Sequence, residues 1–131
     1  MSNDLSISGK QELTELQLKT GLDEMIRPLI REIHLFDTHI EGTGRLSDVS
    51  PLTALAPGDK LTLKREVSKF DDFAVVVLNE AGAKLGYIPE KDNKIFARLM
   101  DAGKLLAARV KSVHPKIGYH EVEIGIYLVD F

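Results

Sequence analysis

The sequence of 131 residues predicts an α+β fold that is mainly β, in which about six short strands form a small antiparallel β-barrel with one internal helix and an N-terminal helical extension. Three observations carry this prediction. Most apolar segments alternate with the period of a strand, turn residues separate them at short intervals, and one internal segment has the period of a helix. Small antiparallel sheets commonly curl into barrels, since closure removes exposed strand edges.

The length predicts one principal domain, because 131 residues can bury one sizeable core. We expect residues 1–30 to be a polar tail followed by a helical extension, and residues 31–131 to form the β-barrel domain. In the extension, apolar side chains recur at intervals of three, four or six residues, which indicates amphipathic helical segments. These side chains are Leu13, Leu16, Leu22, Met25, Ile26 and Leu29.

Six segments have the composition and period of strands. They are residues 30–41, 60–66, 73–78, 86–89, 105–113 and 120–131. The third segment is apolar on both faces, which is typical of a central strand. Asn79 and Gly82 supply the turn between the third and fourth strands, and residues 115–118 form the loop between the last two. The sequence therefore predicts two hairpins.

One internal helix is predicted after Pro89, because apolar residues recur on one helical face and Gly103 provides a C-terminal stop. The residues of that face are Ile95, Phe96, Leu99 and Met100. A shorter helical turn is predicted over residues 52–55, with Asp48 or Ser50 as its cap.

Composition excludes several classes of protein. The chain has no cysteine, which excludes disulfides, thiol catalysis and thiolate metal sites. No apolar run approaches the roughly 20 residues needed to span a bilayer, and residues 1–10 lack the features of a secretory signal. We therefore expect a cytoplasmic protein without a membrane-spanning helix. The net charge of −3 argues against a generally basic protein that coats nucleic acid.

The sequence contains no motif of nucleophilic, phosphate-binding or metal-dependent catalysis, which predicts a protein without enzymatic activity, cofactor or metal. Asp71 and Asp72 are adjacent, so on a regular strand they point to opposite faces and cannot share a proton or an ion. They are expected instead to be bend carboxylates that cap backbone amides. His34 and His39 are five residues apart and predicted to lie on opposite faces of the first strand.

One segment is basic in this otherwise acidic chain, because residues 103–120 contain four Lys or Arg and two His but no carboxylate. Basic residues of the neighbouring strands extend this surface: Lys60, Lys64, Arg65 and Lys69. Such a face can follow a phosphate backbone, with Phe70, Tyr87 or Tyr119 as a surface on which a base stacks. The alternative interpretation is that these are ordinary solvated charges and aromatic residues at the edge of the core.

Several short motifs, taken in order, resemble the HIRAN domain family. They are Arg65-Glu66, Phe70-Asp71, the strand at residues 74–77, Gly86-Tyr87-Ile88-Pro89, and a helix ending in Leu99-Met100-Asp101-Ala102-Gly103. The resemblance covers residues 32–131 and includes the turn at residues 57–59. It implies an OB-like antiparallel β-barrel with helices, which occurs fused to SNF2-type helicases and ubiquitin ligases and also as stand-alone bacterial proteins.

The resemblance also implies roles for individual residues, since the helicase-fused members hold the 3′ end of single-stranded DNA. Phe70 is implied as the aromatic that stacks on a terminal base, and Asp71 as the acceptor of the 3′-hydroxyl. Tyr87 is implied beside the phosphate path. Thr38 and His39 fall where the family has a basic-aromatic pair, so Thr38 replaces a basic residue, and Phe70 replaces the usual Tyr.

The leading hypothesis is a noncatalytic nucleic-acid-binding module that recognises single-stranded DNA and its 3′-hydroxyl end, with a helicase or nuclease as a partner chain. Its predicted binding residues are Thr38, His39, Arg65, Phe70, Asp71, Tyr87, Arg109 and Lys111. The alternative is a protein-interaction or self-associating domain without DNA binding, in which residues 10–29 supply the contact of a homo-oligomer.

Overall fold

The computed structural model describes residues 31–130, and residues 32–129 of these form one compact unit. The strands are β1 (Arg31–His39), β2 (Lys60–Arg65), β3 (Val75–Leu78), β4 (Lys84–Tyr87), β5 (Leu105–Lys116) and β6 (Tyr119–Asp130). The helices are α1 (Ser50–Thr53) and α2 (Glu90–Asp101), and a 3-10 turn spans Thr43–Arg45. The predicted tail and helical extension lie outside the described residues, so their boundary with the barrel stays a prediction.

The strands form one sheet in the order β1-β6-β5-β2-β3-β4. The β3–β4 and β5–β6 pairs are antiparallel, which confirms both predicted hairpins. In the first hairpin the Asn79 side-chain oxygen accepts a hydrogen bond of 2.8 Å from the Ala83 amide, and Gly82 has a φ of 89°, as the turn prediction requires. β2 pairs with β3 on one side and β5 on the other, which joins the two hairpins into one sheet.

The sheet curls until its two ends meet beside the segment that follows β1. The backbones of Glu41 and Tyr87 exchange two hydrogen bonds, at 2.8 and 2.9 Å. Gly86 permits this approach, because a Cβ there would collide with the Glu41 carbonyl oxygen and lie 2.7 Å from Ile40 Cγ2. We call this contact the seam. The result is a curled half-barrel of mainly β structure, as the sequence predicts.

The hydrophobic core fills the inside of this curl. Leu61 and Leu63 are buried on alternating positions of β2, and β3 is buried on both faces, as predicted for a half-buried and a central strand. The largest fully buried apolar side chains are Leu52, Val75, Val77, Leu85, Ile88, Val122, Ile124 and Ile126. On β6 the buried residues Val122, Ile124 and Ile126 follow the two-residue period of a strand.

The predicted internal helix is confirmed as α2, but its buried face differs from the prediction. Phe96 and Ala97 are buried, whereas Ile95 is 61% exposed, so the inward placement of Ile95 was wrong. The core face of α2 includes Asn93, a polar residue that is only 2% exposed. The apolar residues alone therefore do not mark the buried face of this helix. Positions 93, 96, 97 and 100 have the i, i+3, i+4, i+7 spacing of a single helical stripe. None of the helices within residues 31–130 is long and apolar enough to cross a membrane.

Some element boundaries shift from the predicted ones. β3 begins two residues later than expected, and β5 continues to Lys116, so the second hairpin turns at Ile117 and Gly118 alone. α1 begins at Ser50, two residues before the predicted start. Asp48 favours this earlier start, because its Oδ1 accepts hydrogen bonds from the Ser50 amide (3.0 Å) and hydroxyl (2.7 Å).

Candidate nucleic-acid interface

Residues 66–74 connect β2 to β3 and form a bend whose backbone is fixed from within. The Ser68 hydroxyl oxygen accepts hydrogen bonds from the amides of Asp71 (3.0 Å) and Phe70 (3.3 Å), and the Glu66 amide donates to the Ala74 carbonyl (3.0 Å). The side chain of Phe70 projects from this bend and is 93% exposed. An exposed aromatic ring on a fixed backbone offers a face on which a nucleobase can stack.

The Asp71 carboxylate is held next to Phe70 by two hydrogen bonds. Its Oδ1 accepts one of 2.8 Å from the Phe73 amide, and its Oδ2 accepts one of 2.8 Å from the buried side-chain amide of Asn93. The first contact is the backbone cap that the sequence predicts. A carboxylate has about four acceptor positions, so both oxygens keep capacity for a donor from outside the protein.

Arg65 is directed toward the protein, and all five of its N–H donors are engaged there. The guanidinium donates to the carbonyls of Ala74 (2.7 Å), Asp72 (2.8 Å) and Glu66 (3.4 Å). It also donates to both carboxylate oxygens of Asp101, at 2.9 and 3.2 Å, and this hydrogen bond lowers the pKa of Asp101. Arg65 therefore ties the bend to the end of α2.

Tyr87 supports the bend from β4. Its hydroxyl donates a hydrogen bond of 2.5 Å to Glu66 Oε1 and accepts one of 2.6 Å from Lys84 Nζ. The same ammonium lies 4.3 Å from the centre of the Tyr87 ring, within the range of a cation–π contact. Tyr87 thus places one cation beside the bend and also forms half of the seam with Glu41.

Thr38 and His39 lie at the end of β1, against the first turn of α2. The Thr38 hydroxyl donates a hydrogen bond of 2.8 Å to Asp92 Oδ2, and His39 Nε2 lies 3.4 Å from a Glu41 carboxylate oxygen. An open groove of about 360 Å³ runs beside them. It is lined by Phe36, Asp37, Thr38, His39, Lys91, Asp92, Lys111 and Glu123, which we call the β1–α2 groove.

Arg109 is half-buried and Lys111 is exposed on β5, and each is paired with a carboxylate of β1. Arg109 donates from Nε and Nη2 to the two oxygens of Glu32, both at 3.0 Å, and Lys111 Nζ donates to Asp37 Oδ2 at 2.8 Å. These hydrogen bonds lower the pKa of both carboxyls and raise the pKa of both bases. The basic segment at residues 103–120 is therefore partly neutralised by β1.

The first turn of α2 joins the bend to the groove, because Asn93 contacts Asp71 and the neighbouring Asp92 contacts Thr38. Six predicted site residues line the groove, belong to the bend or contact the bend. They are Thr38, His39, Phe70, Asp71, Tyr87 and Lys111. Arg109 is not brought to the groove. It lies instead near Glu32 and the Gly58 carbonyl, at 3.0 and 3.5 Å.

Sequence reasoning missed three residues of this arrangement, Lys91, Asp92 and Asn93. A signal for Asn93 existed, since a polar residue at a core position of a helix has to find a buried partner. Lys91 gives no such signal, because any exposed helical position accepts a lysine. Among residues 31–130, no group of three or more His, Asp or Glu side chains is arranged to hold a metal ion.

Comparison with known proteins identifies similar sequences and folds. The family model described as the HIRAN domain matches residues 33–129. A crystal structure of a protein from Lactobacillus plantarum matches with 29% identity and a TM-score of 0.72, over 78% of this chain and 99% of that one. The crystal structure of the HIRAN domain of human HLTF matches with 15% identity and a TM-score of 0.61, over 77% of this chain and 79% of that one. The comparison with curated proteins gives no match.

Proposed function

The chain belongs to the HIRAN domain family of nucleic-acid-binding modules, and we propose that it recognises single-stranded DNA at a free 3′-hydroxyl end. The bend at residues 66–74 carries this proposal. Phe70 is 93% exposed, and Asp71 beside it is fixed by the buried Asn93. The last nucleotide of a strand presents a base face and a hydroxyl donor, which match a stacking ring and an adjacent acceptor.

In this proposal Asp71 distinguishes a 3′-hydroxyl end of DNA from a 3′-phosphate end. Its carboxylate accepts a hydrogen bond from the 3′-hydroxyl, and the existing contacts with Phe73 and Asn93 hold the oxygens in place before DNA arrives. A 3′-phosphate would bring negative charge against the carboxylate, which is unfavourable at close range. The free hydroxyl end is therefore preferred.

The phosphates that precede the end follow the β1–α2 groove. Lys91 and Lys111 are the cations of this groove, beside the carboxylates of Asp37, Asp92 and Glu123, and His39 and Thr38 offer a ring and a hydroxyl at the same wall. Tyr87 stands beside the path, and Arg109 extends it along β5. Arg65 acts as a positioning residue, because its donors all hold the bend or α2.

The test is a fluorescence-anisotropy titration of labelled single-stranded DNA that ends in either a 3′-hydroxyl or a 3′-phosphate. We expect the wild type to bind the hydroxyl end more tightly, by about tenfold, since a hydrogen bond to a charged group contributes about 1.5–3 kcal/mol. Asp71→Asn should reduce that ratio. Asp72→Asn is the matched control, because it removes the same charge from the neighbouring, exposed residue and should leave the ratio unchanged.

Phe70 is tested in the same titration. Phe70→Ala should weaken binding to both ends about fivefold or more, since stacking of one base contributes about 1–3 kcal/mol. Phe70→Tyr should retain binding because it keeps the ring. If the wild type shows no saturable, salt-sensitive binding, single-stranded DNA recognition is wrong; if it binds both ends equally, only the end specificity is wrong.

A binding module of this kind delivers a DNA end to an enzyme. The family is a binding domain, so a separate helicase or nuclease that acts on the captured end remains the predicted partner. Co-purification of such an enzyme in the presence of 3′-hydroxyl DNA, but not of 3′-phosphate DNA, would support that partnership. Its cytoplasmic location likewise remains a prediction.

A further inference from the structure

A second, mainly apolar groove lies between α2 and the middle of β1, and it shares Phe36, Lys91 and Asp92 with the β1–α2 groove. Its volume is about 750 Å³, and Leu35, Phe36, Ile95, Phe96 and Leu99 form its apolar lining. Ile95 is 61% exposed, Phe36 42% and Leu35 38%. The Phe36 and Phe96 rings, 5.8 Å apart between centres, form its floor. Exposed apolar surface gathered in one groove is typical of a docking site.

The rim of this groove is positively charged. Lys91, Lys94 and Arg98 line it, and all three are exposed. Asp92 is the acidic residue of the lining, and its Oδ2 already accepts the hydrogen bond from Thr38. The groove therefore suits an occupant whose apolar face is flanked by carboxylates.

We propose that this groove binds residues 10–29 of a second copy of the chain. The sequence predicts amphipathic helical segments there, and Leu22, Met25 and Ile26, which lie between Gly21 and Pro28, have the i, i+3, i+4 spacing of one apolar face. Residues 10–29 carry four carboxylates against two lysines and one arginine, and these four carboxylates are available to pair with the three cations of the rim. This inference does not depend on the proposed DNA binding.

Two copies can exchange their N-terminal segments, so that the segment of each chain lies in the groove of the other. Each copy offers one groove and one acidic apolar segment, so a reciprocal pair occupies both grooves and closes with twofold symmetry. Residues 10–27 lie before Pro28, and as a helix they would be about 27 Å long, which exceeds the roughly 18 Å of the 12-residue α2. Residues 28–30 are then left for the connection to β1.

Three variants of the full chain, each with one Ile→Glu change, test the proposal. Ile95→Glu places a carboxylate in the groove, Ile26→Glu places one on the segment, and Ile117→Glu is the matched control at a fully exposed turn. Light scattering after size exclusion should give the wild type and Ile117→Glu twice the chain mass of 14.5 kDa. Ile95→Glu and Ile26→Glu should lose the dimer, with unchanged circular dichroism.

Mixing the two monomeric variants then identifies the occupant. Ile95→Glu keeps an intact segment and Ile26→Glu an intact groove, so an equimolar mixture should regain a mixed dimer that neither forms alone. Native mass spectrometry with one variant isotopically labelled would detect it. A monomeric wild type, a dimer that survives Ile95→Glu, or a mixture that stays monomeric would each overturn the proposal. The Ile26→Glu variant, which changes no residue of either groove, should bind DNA like the wild type, so failure here is distinguishable from failure of the proposed function.

Discussion

Arg65 shows how one side chain can determine the shape of a binding surface without touching the ligand. Its guanidinium satisfies three backbone carbonyls of the 66–74 bend and both oxygens of Asp101. Those carbonyls lie in the connection between β2 and β3, where only the Ala74 carbonyl also accepts a backbone amide, that of Glu66. The exposed position of Phe70 follows from a backbone that Arg65 and Ser68 together hold in place.

Arg65→Lys should therefore destabilise the protein although the positive charge is kept. Lysine has three donors on one compact group and cannot reach three carbonyls and a carboxylate together. We expect the free energy of unfolding to fall by about 2 kcal/mol, measured by urea denaturation. Arg45→Lys is the matched control at an exposed position and should stay within about 0.5 kcal/mol of the wild type. An equal effect of both substitutions would contradict the role of Arg65.

At the scale of the elements, α2 and the seam position the site. The first turn of α2 holds Asp71 through Asn93 and Thr38 through Asp92, and its last residue holds Arg65 through Asp101. The seam places the end of β1 next to β4, so that His39 and Tyr87 belong to one surface. Without the close backbone contact at Gly86, the two ends of the sheet could not meet.

Gly86→Ala should open the seam. The new Cβ would collide with the Glu41 carbonyl, which is backbone and cannot rotate away, so we expect a loss of about 3 kcal/mol or more in unfolding free energy. Hydrogen exchange at the Tyr87 amide should also accelerate, because its bond to Glu41 is lost.

Gly82→Ala is the appropriate control for this prediction. Gly82 has a positive φ of 89° but no heavy atom near the added Cβ, so alanine there meets only backbone strain of about 1–2 kcal/mol. Tyr87 exchange should remain slow in that variant. If Gly82→Ala proved the more damaging substitution, the steric account of the seam would be wrong.

For the molecule as a whole, local patterns in the sequence predicted the strands, both hairpins and α2, because alternation and helical period report directly which residues meet the core. They failed for Ile95, where a buried Asn93 interrupts the apolar pattern. They also could not predict the pairing of charges. Arg109 and its partner Glu32 are 77 residues apart, and only the folded sheet brings them together. The sequence therefore indicated a positive face that the structure partly neutralises.

The same ion pairs make stability depend on pH. The pKa of Glu32 and of Asp37 is lowered in the folded protein, chiefly by hydrogen bonds from Arg109 and Lys111. Their stabilisation is thus complete above the ordinary values of 4.5 and 3.8, and it is lost as the pH falls through the lowered folded values. Urea unfolding at a series of pH values below about 5 should show this decline, and Glu32→Gln with Asp37→Asn should flatten it. Equal slopes in both proteins would contradict this account.

The ion pair between Lys111 of β5 and Asp37 of β1 should also weaken DNA binding. The Lys111 ammonium in the β1–α2 groove already donates a hydrogen bond to Asp37 and is less available to a phosphate. Asp37→Asn should raise the affinity for single-stranded DNA by about three- to tenfold at low salt, and steepen the logarithmic salt dependence by about 0.7 for the one cation released. Glu80→Gln, which makes the same change in net charge in the turn between β3 and β4, should alter neither. Equal gains from both variants would show that net charge, and not the pairing of Lys111, controls the affinity.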